Sequence, residues 1–162
     1  IVTPMTPFVL ILGKIIPYMI IGYFQVTFAL ALGIIVFDIP VVGSIGLLYL
    51  LTTIFILASL SLGILISTIA RNQLQAIQLS FFLILPTILL SGFMFPREAM
   101  PTFFYYLGDL FPLTFYLEII RGILLKGVGI EYLYKPSLIL VGFVFVLLAF
   151  SIFIFGKKVR RF

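Results

Sequence analysis

Apolar positions in this chain gather into four long runs, interrupted by single charges or short polar clusters. The charge-free runs cover 15–37, 39–70, 72–96 and 136–156. Crossing about 30 Å of hydrocarbon takes roughly 20 apolar residues in a helix, so each run can span a bilayer. The pattern predicts an all-α integral membrane protein, a single transmembrane domain over 1–162 with spans at about 15–37, 47–69, 76–95 and 136–155. The stretch 96–135 differs. It is rich in Phe, Tyr, Leu and Ile, but Pro101 and Pro112 cut it into short pieces. The piece from Leu113 to Leu125 has a helical pattern, is too short to cross, and is followed by Gly127, a favoured residue just past a helix end. Short re-entrant or interfacial helices on the outer side are therefore expected. Tyr105, Tyr106, Tyr116, Tyr132 and Tyr134 are expected in the aromatic belt at that interface.

Polar side chains within the spans are few, and most suit packing. Gln25, in the middle of the first span, reads as an interhelical hydrogen bond before a substrate ligand. Gly22, Ala29 and Gly33 lie near its face, and Thr52, Ser59, Gly63 and Ser67 form a small-polar stripe on the second span. Pro17 is expected in the first turn of its helix, where a missing N–H costs little. The third span carries Ser80, Thr87 and Ser91 on one face and Pro86 at its centre, where proline removes a backbone hydrogen bond and predicts a kink. Ser91-Gly92 offers a second weak point near the outer end.

Composition narrows the class. Apolar residues make up 64% and the mean hydropathy is +1.37, well above the soluble norm of about 45–50% apolar. Charge then orients the spans. Lys14, Arg71, Lys157, Lys158, Arg160 and Arg161 fall on one side, all basic. Asp38, Arg97, Glu98, Asp109, Glu118, Arg121, Lys126, Glu131 and Lys135 fall on the other. Lys and Arg bias short loops inward, so the basic-only side is expected to be cytoplasmic, with both ends of the segment inside a bacterial cell (inner) membrane. The net charge of +5 fits anchoring to anionic lipid rather than nucleic-acid binding.

Cysteine and histidine are absent, which removes disulfides, thiolate or imidazole metal sites, and Ser-His-Asp triads. No signal peptide is marked, and the Pro/Thr-rich start without Met reads as a fragment lacking its upstream portion. No span holds a charged residue, which argues against proton- or ion-coupled transport. A Walker motif is also missing, so active transport would need energy from another subunit. Glu118 and Arg121, at i and i+3, are expected to pair locally on the outer helix rather than to catalyse.

Three strings carry a resemblance. They are Gln75-Ala-Ile-Gln-Leu-Ser-Phe-Phe-Leu-Ile-Leu-Pro86, Leu89-Leu-Ser-Gly-Phe-Met-Phe-Pro-Arg-Glu-Ala-Met-Pro101, and Pro112-Leu-Thr-Phe-Tyr-Leu-Glu-Ile-Ile-Arg-Gly122 followed by Lys126-Gly127. Together they resemble the membrane subunit of type-2 ABC exporters, in its bacterial drug-efflux-like branch. The resemblance implies the C-terminal four of six spans and two short outer helices before the last one. It further implies a second permease subunit, as homo- or heterodimer, and cytoplasmic ABC ATPase subunits. ATP and Mg would sit on that partner ATPase, with no cofactor on this chain, which would not itself be an enzyme. The implied activity is export of an amphipathic or lipid-like compound. Ser80, Pro86, Thr87 and Ser91 would line its path, and the inner segments with Lys14, Arg71, Asn72 and Gln73 would face the ATPase. Rival readings are a membrane scaffold or assembly subunit without transport, and a fragment of an ion-coupled carrier.

Overall fold

The computed structural model describes the backbone of residues 7–159 and the side-chain surroundings of Gly13 and residues 15–155. Among the described residues six α-helices follow one another: α1 (Pro7–Phe37), α2 (Ile45–Ile69), α3 (Gln73–Leu90), α4 (Thr102–Gly108), α5 (Pro112–Lys126) and α6 (Ile130–Val159). A single 3-10 turn, Arg97–Ala99, precedes α4, and no strand occurs among these residues. Four segments are long and apolar enough to cross a membrane: Ile15–Phe37, Ile45–Ile69, Gln73–Leu90 and Ile130–Phe155. The protein is all-helical, with four candidate spans and two short helices between the last two.

Local chemistry moves several boundaries. α2 starts at Ile45 because Ser44 caps it, its hydroxyl accepting from the Leu47 N–H at 3.3 Å. α3 starts at Gln73 and ends at Leu90, short of the expected 95, because the chain turns at Ser91 and Gly92, the latter at φ +90. Glycine has no Cβ to oppose that conformation. α1 begins at Pro7, so Pro17 lies inside the helix rather than in its first turn. α6 begins at Ile130 and takes in Pro136, which the hydropathy pattern placed at its start. α5 closes on Gly127 at φ +64. There Gly127 N–H donates to Ile123 O at 3.2 Å, the single 5→1 bond of an αL helix end, and Val128 N–H donates to Gly122 O at 3.1 Å.

The core runs along α2 and α6, the most extensively packed pair, with α5 set against both at one end. Leu48, Leu51, Ala58, Tyr116, Ile119, Ile123, Leu133 and Leu140 are buried there. Buried Ser61, Ser137 and Ser151 turn their hydroxyls to the carbonyls of Leu57, Leu133 and Leu147 on their own helices, at 2.6 to 2.8 Å. Small satisfied side chains let helices approach closely without burying an unpaired group. The small-polar stripe read on α2 is only partly the buried one. Thr52 is buried, but Ser59, Gly63 and Ser67 are exposed. Leu48, Leu51, Ile56 and Ala58 set the buried face instead.

α1 is fastened by hydroxyls. Tyr23 OH bonds to Thr53 Oγ1, Tyr49 OH bonds to Thr27 Oγ1 at 2.8 Å, and the two tyrosine rings stack with centroids 6.3 Å apart. Gln25, expected to bond between helices, is exposed instead.

Candidate functional site

α3 holds most of the sequence-predicted path residues, and none of its residues is buried within this chain. Ser80 and Thr87, seven residues apart, share one half-buried face. Each hydroxyl donates back along the helix, Ser80 to Ala76 O at 2.9 Å and Thr87 to Leu83 O at 2.6 Å. Pro86 sits beside Thr87 inside a continuous helix and leaves the Phe82 carbonyl without its i+4 donor. Ser91 is placed differently. It is the C-cap of α3, its N–H donating to Thr87 O at 3.1 Å, and its buried hydroxyl has no partner among the described residues. Ser80, Pro86 and Thr87 therefore belong to one uncovered helix, and Ser91 to the packed cap above it.

That cap is built from the Gly92 turn, the 3-10 turn, α4 and the start of α5. Gly108 ends α4 tight against the end of α3, where a Cβ would collide with the Leu90 carbonyl oxygen. Thr114 Oγ1, buried in the first turn of α5, donates to Gly108 O at 2.6 Å and holds the α4–α5 corner. Arg97 crosses over the Gly92 turn. Its Nη2 donates to Asp109 Oδ1 at 2.6 Å and to Tyr105 O at 2.9 Å, and its guanidinium carbon lies 4.1 Å from the centre of the Tyr105 ring. Among the described residues Arg97–Asp109 is the ion pair.

The expected Glu118–Arg121 pair takes another form. Both residues are exposed on α5, and Arg121 Nη2 donates to the Gly92 carbonyl at 2.8 Å. A guanidinium reaching a backbone oxygen one helix away leaves Glu118 facing outward. Sequence reasoning missed the Arg97–Asp109 pair because the partners lie 12 residues apart across a proline-broken segment. Helical periodicity carries no signal there. Tyr116, expected in the aromatic belt, is buried instead. Its hydroxyl bonds to Thr52 Oγ1 at 3.0 Å and its ring stacks on Phe55 with centroids 4.0 Å apart and planes 4° from parallel.

At the other end of α3, Asn72 and Gln75 form the helix start. Asn72 Oδ1 accepts from the Gln75 N–H and Gln75 Oε1 accepts from the Arg71 N–H, each at 2.8 Å. Arg71, Asn72 and Gln73 are all exposed. The Lys14 side chain lies outside the described residues. A separate cavity of about 260 Å³ opens between α1 and α5, lined by Val26, Leu30, Gly33, Ile39, Tyr116 and Ile120 among others. Its walls offer no charged group.

The family described as ABC-2 type transporter matches residues 1–125. The chain is 34% identical over 134 residues to the "Probable multidrug ABC transporter permease YbhR" of Escherichia coli (strain K12), covering 83% of this chain and 36% of that protein. It is 32% identical over 140 residues to the "Inner membrane transport permease YhhJ" of the same strain, covering 86% and 37%. It is also 33% identical over 123 residues to "ABC transporter G family member 20" of Dictyostelium discoideum, covering 76% and 17%. The chain thus spans little more than a third of the length of its bacterial relatives. No solved structure matches.

Proposed function

The chain belongs to the ABC-2 type transporter family, and from that membership we propose that it is a membrane-spanning part of a permease subunit that exports an amphipathic or lipid-like compound. ATP hydrolysis is carried out by a separate cytoplasmic ABC ATPase, which holds the ATP and Mg, and a second permease subunit completes the path. The observation that carries this reading is α3: a full span with no residue buried within the chain, yet bearing Ser80 and Thr87 on one face. Hydroxyls that return their protons to the helix present only weak polarity outward. Such a surface suits a greasy cargo with a polar group better than an ion. Apart from Glu131 and Lys135 in the first two turns of Ile130–Phe155, the four candidate spans hold no charged side chain, which supports an external energy source, since ion-coupled carriers use intramembrane charges.

In this reading α4 and α5 dip into the outer half of the bilayer as a lid. Tyr116 of α5 meeting Thr52, about two turns into α2, supports that depth. Arg71, Asn72 and Gln73, together with Lys14, face the ATPase, and the Asn72–Gln75 cap gives that short loop a defined shape for a partner to engage.

The test is nucleotide-dependent access to α3 in the full-length permease with its ATPase in liposomes. A cysteine replacing Thr87 is expected to change its reactivity toward a small hydrophilic thiol reagent between the nucleotide-free and vanadate-trapped states. One replacing Phe82, which is exposed on another face, is expected to stay constant. Equal, unchanging reactivity at the two positions contradicts the path assignment.

A further inference from the structure

We propose that Arg97 and Arg121 are positioning residues that clamp the Gly92 turn from two sides, so that the outer end of α3 moves as one body with α4 and α5. The proposal rests on α3 lining the transport path, and it concerns how the outer end of that path is held.

α3 has no buried residue to anchor it, and an element with little apolar contact is held only weakly by packing. Its outer end then breaks at a glycine with φ +90, a natural place for a helix to swing. The strongest polar contacts of the outer region converge there. Arg121 comes from α5 and donates to Gly92 O at 2.8 Å. Arg97 comes from the chain just past the turn, passing so close that a Cβ on residue 92 would lie 2.9 Å from its Cγ. Its guanidinium is then fixed by the Asp109 carboxylate, the Tyr105 carbonyl and the Tyr105 ring. Glycine is thus required twice at 92, for its backbone angle and for the space that Arg97 occupies.

Charge-assisted hydrogen bonds are the stronger ones, more so where water is scarce. The two arginines are not equivalent to lysines either. Arg97 reaches both acceptors from one Nη2 while its delocalised guanidinium lies over the Tyr105 ring, and a compact, strongly hydrated ammonium does not reproduce that contact with the ring, whereas Arg121 makes one bond that a lysine can replace. The clamp also extends beyond α3. α5 is tied to α2 through Tyr116 and Thr52, and to the α1–α2 connection through Val42 N–H donating to Leu124 O at 3.1 Å. A displacement of α3 is therefore handed to the whole outer cap rather than absorbed at Gly92.

Pulsed electron paramagnetic resonance on the full-length permease with its ATPase in liposomes tests this. Spin labels on cysteines replacing Leu89 of α3 and Leu125 of α5, both exposed, report the distance across the clamp. The expected result is one narrow distribution, the same in the nucleotide-free and vanadate-trapped states. Arg97→Gln and Arg121→Gln should each broaden it to about twice its width, as loosely held segments sample more positions. Arg121→Lys should restore the narrow form and Arg97→Lys should not, a contrast that general destabilisation does not produce. Asp109→Asn, which keeps volume and polarity, should broaden it as well if the glutamine variants fail to fold. A distribution left narrow by Asp109→Asn or by either glutamine change, or a wild-type distance that shifts on trapping, overturns the clamp. If instead the path assignment is wrong, the Thr87 cysteine stays insensitive to nucleotide while the arginine variants still broaden the distance.

Discussion

Tyr116 joins two interactions that substitution can separate. Its hydroxyl meets Thr52 and its ring lies flat on Phe55, both inside the α2–α5 contact. Tyr116→Phe keeps the stack and leaves the small Thr52 hydroxyl free to turn to its own helix. It should cost about 1 kcal/mol, the usual scale for one buried or interhelical hydrogen bond. Tyr116→Ala also opens a cavity and should cost about 3–5 kcal/mol. Thermal unfolding of the detergent-solubilised full-length protein distinguishes the two, and equal midpoints for the variants would mean the ring contributes nothing. An aromatic-rich segment could be read along the chain, but which tyrosine turns inward could not. That choice depends on Thr52, 64 residues away.

At the scale of elements, α3 depends on its ends. Its middle is apolar without internal burial, so capping carries a larger share of its definition than in α2 or α6. Asn72 satisfies the Gln75 N–H while the Gln75 side chain returns to the Arg71 N–H, an arrangement close to a capping box. Asn72→Ala should lose about 1 kcal/mol and Asn72→Ser far less, because serine caps nearly as well. Hydrogen exchange at the first turn of α3 measures the loss directly. Protection unchanged in Asn72→Ala would show that the helix start is held by something other than its cap. The run Arg71-Asn-Gln was read as an inner loop facing a partner; the structure adds that two of its members build the helix.

For the whole molecule, the alternation of charge along the chain predicts which ends of the helices face which side. The basic-only set includes Arg71, between α2 and α3, and every acidic residue lies in the other set. With Lys and Arg biased inward, a cysteine replacing Ser44 or Thr102 should react with an impermeant thiol reagent added to intact cells. One replacing Asn72 should react only after the membrane is opened. The chain's lack of native cysteine keeps the labelling of this segment clean. Modification of Asn72→Cys from outside would reverse the orientation.

The sequence alone determined the number of spans and the helical class, because hydrocarbon forces any crossing segment to satisfy its own backbone and to be apolar over a definite length. It also located the short helices between the last two spans, since Pro101, Pro112 and Gly127 punctuate the backbone wherever they occur, and it carried the motifs of the family. Only the tertiary structure decided the partners of the polar groups. Arg97 with Asp109, Arg121 with Gly92, and Tyr116 with Thr52 join positions whose spacing fits no helical period. Their meeting depends on where the chain folds back after α3 and how deeply α5 settles beside α2. Membrane burial acts through local composition and can be read along the chain. Hydrogen-bond pairing between distant segments exists only once three-dimensional packing has brought them together.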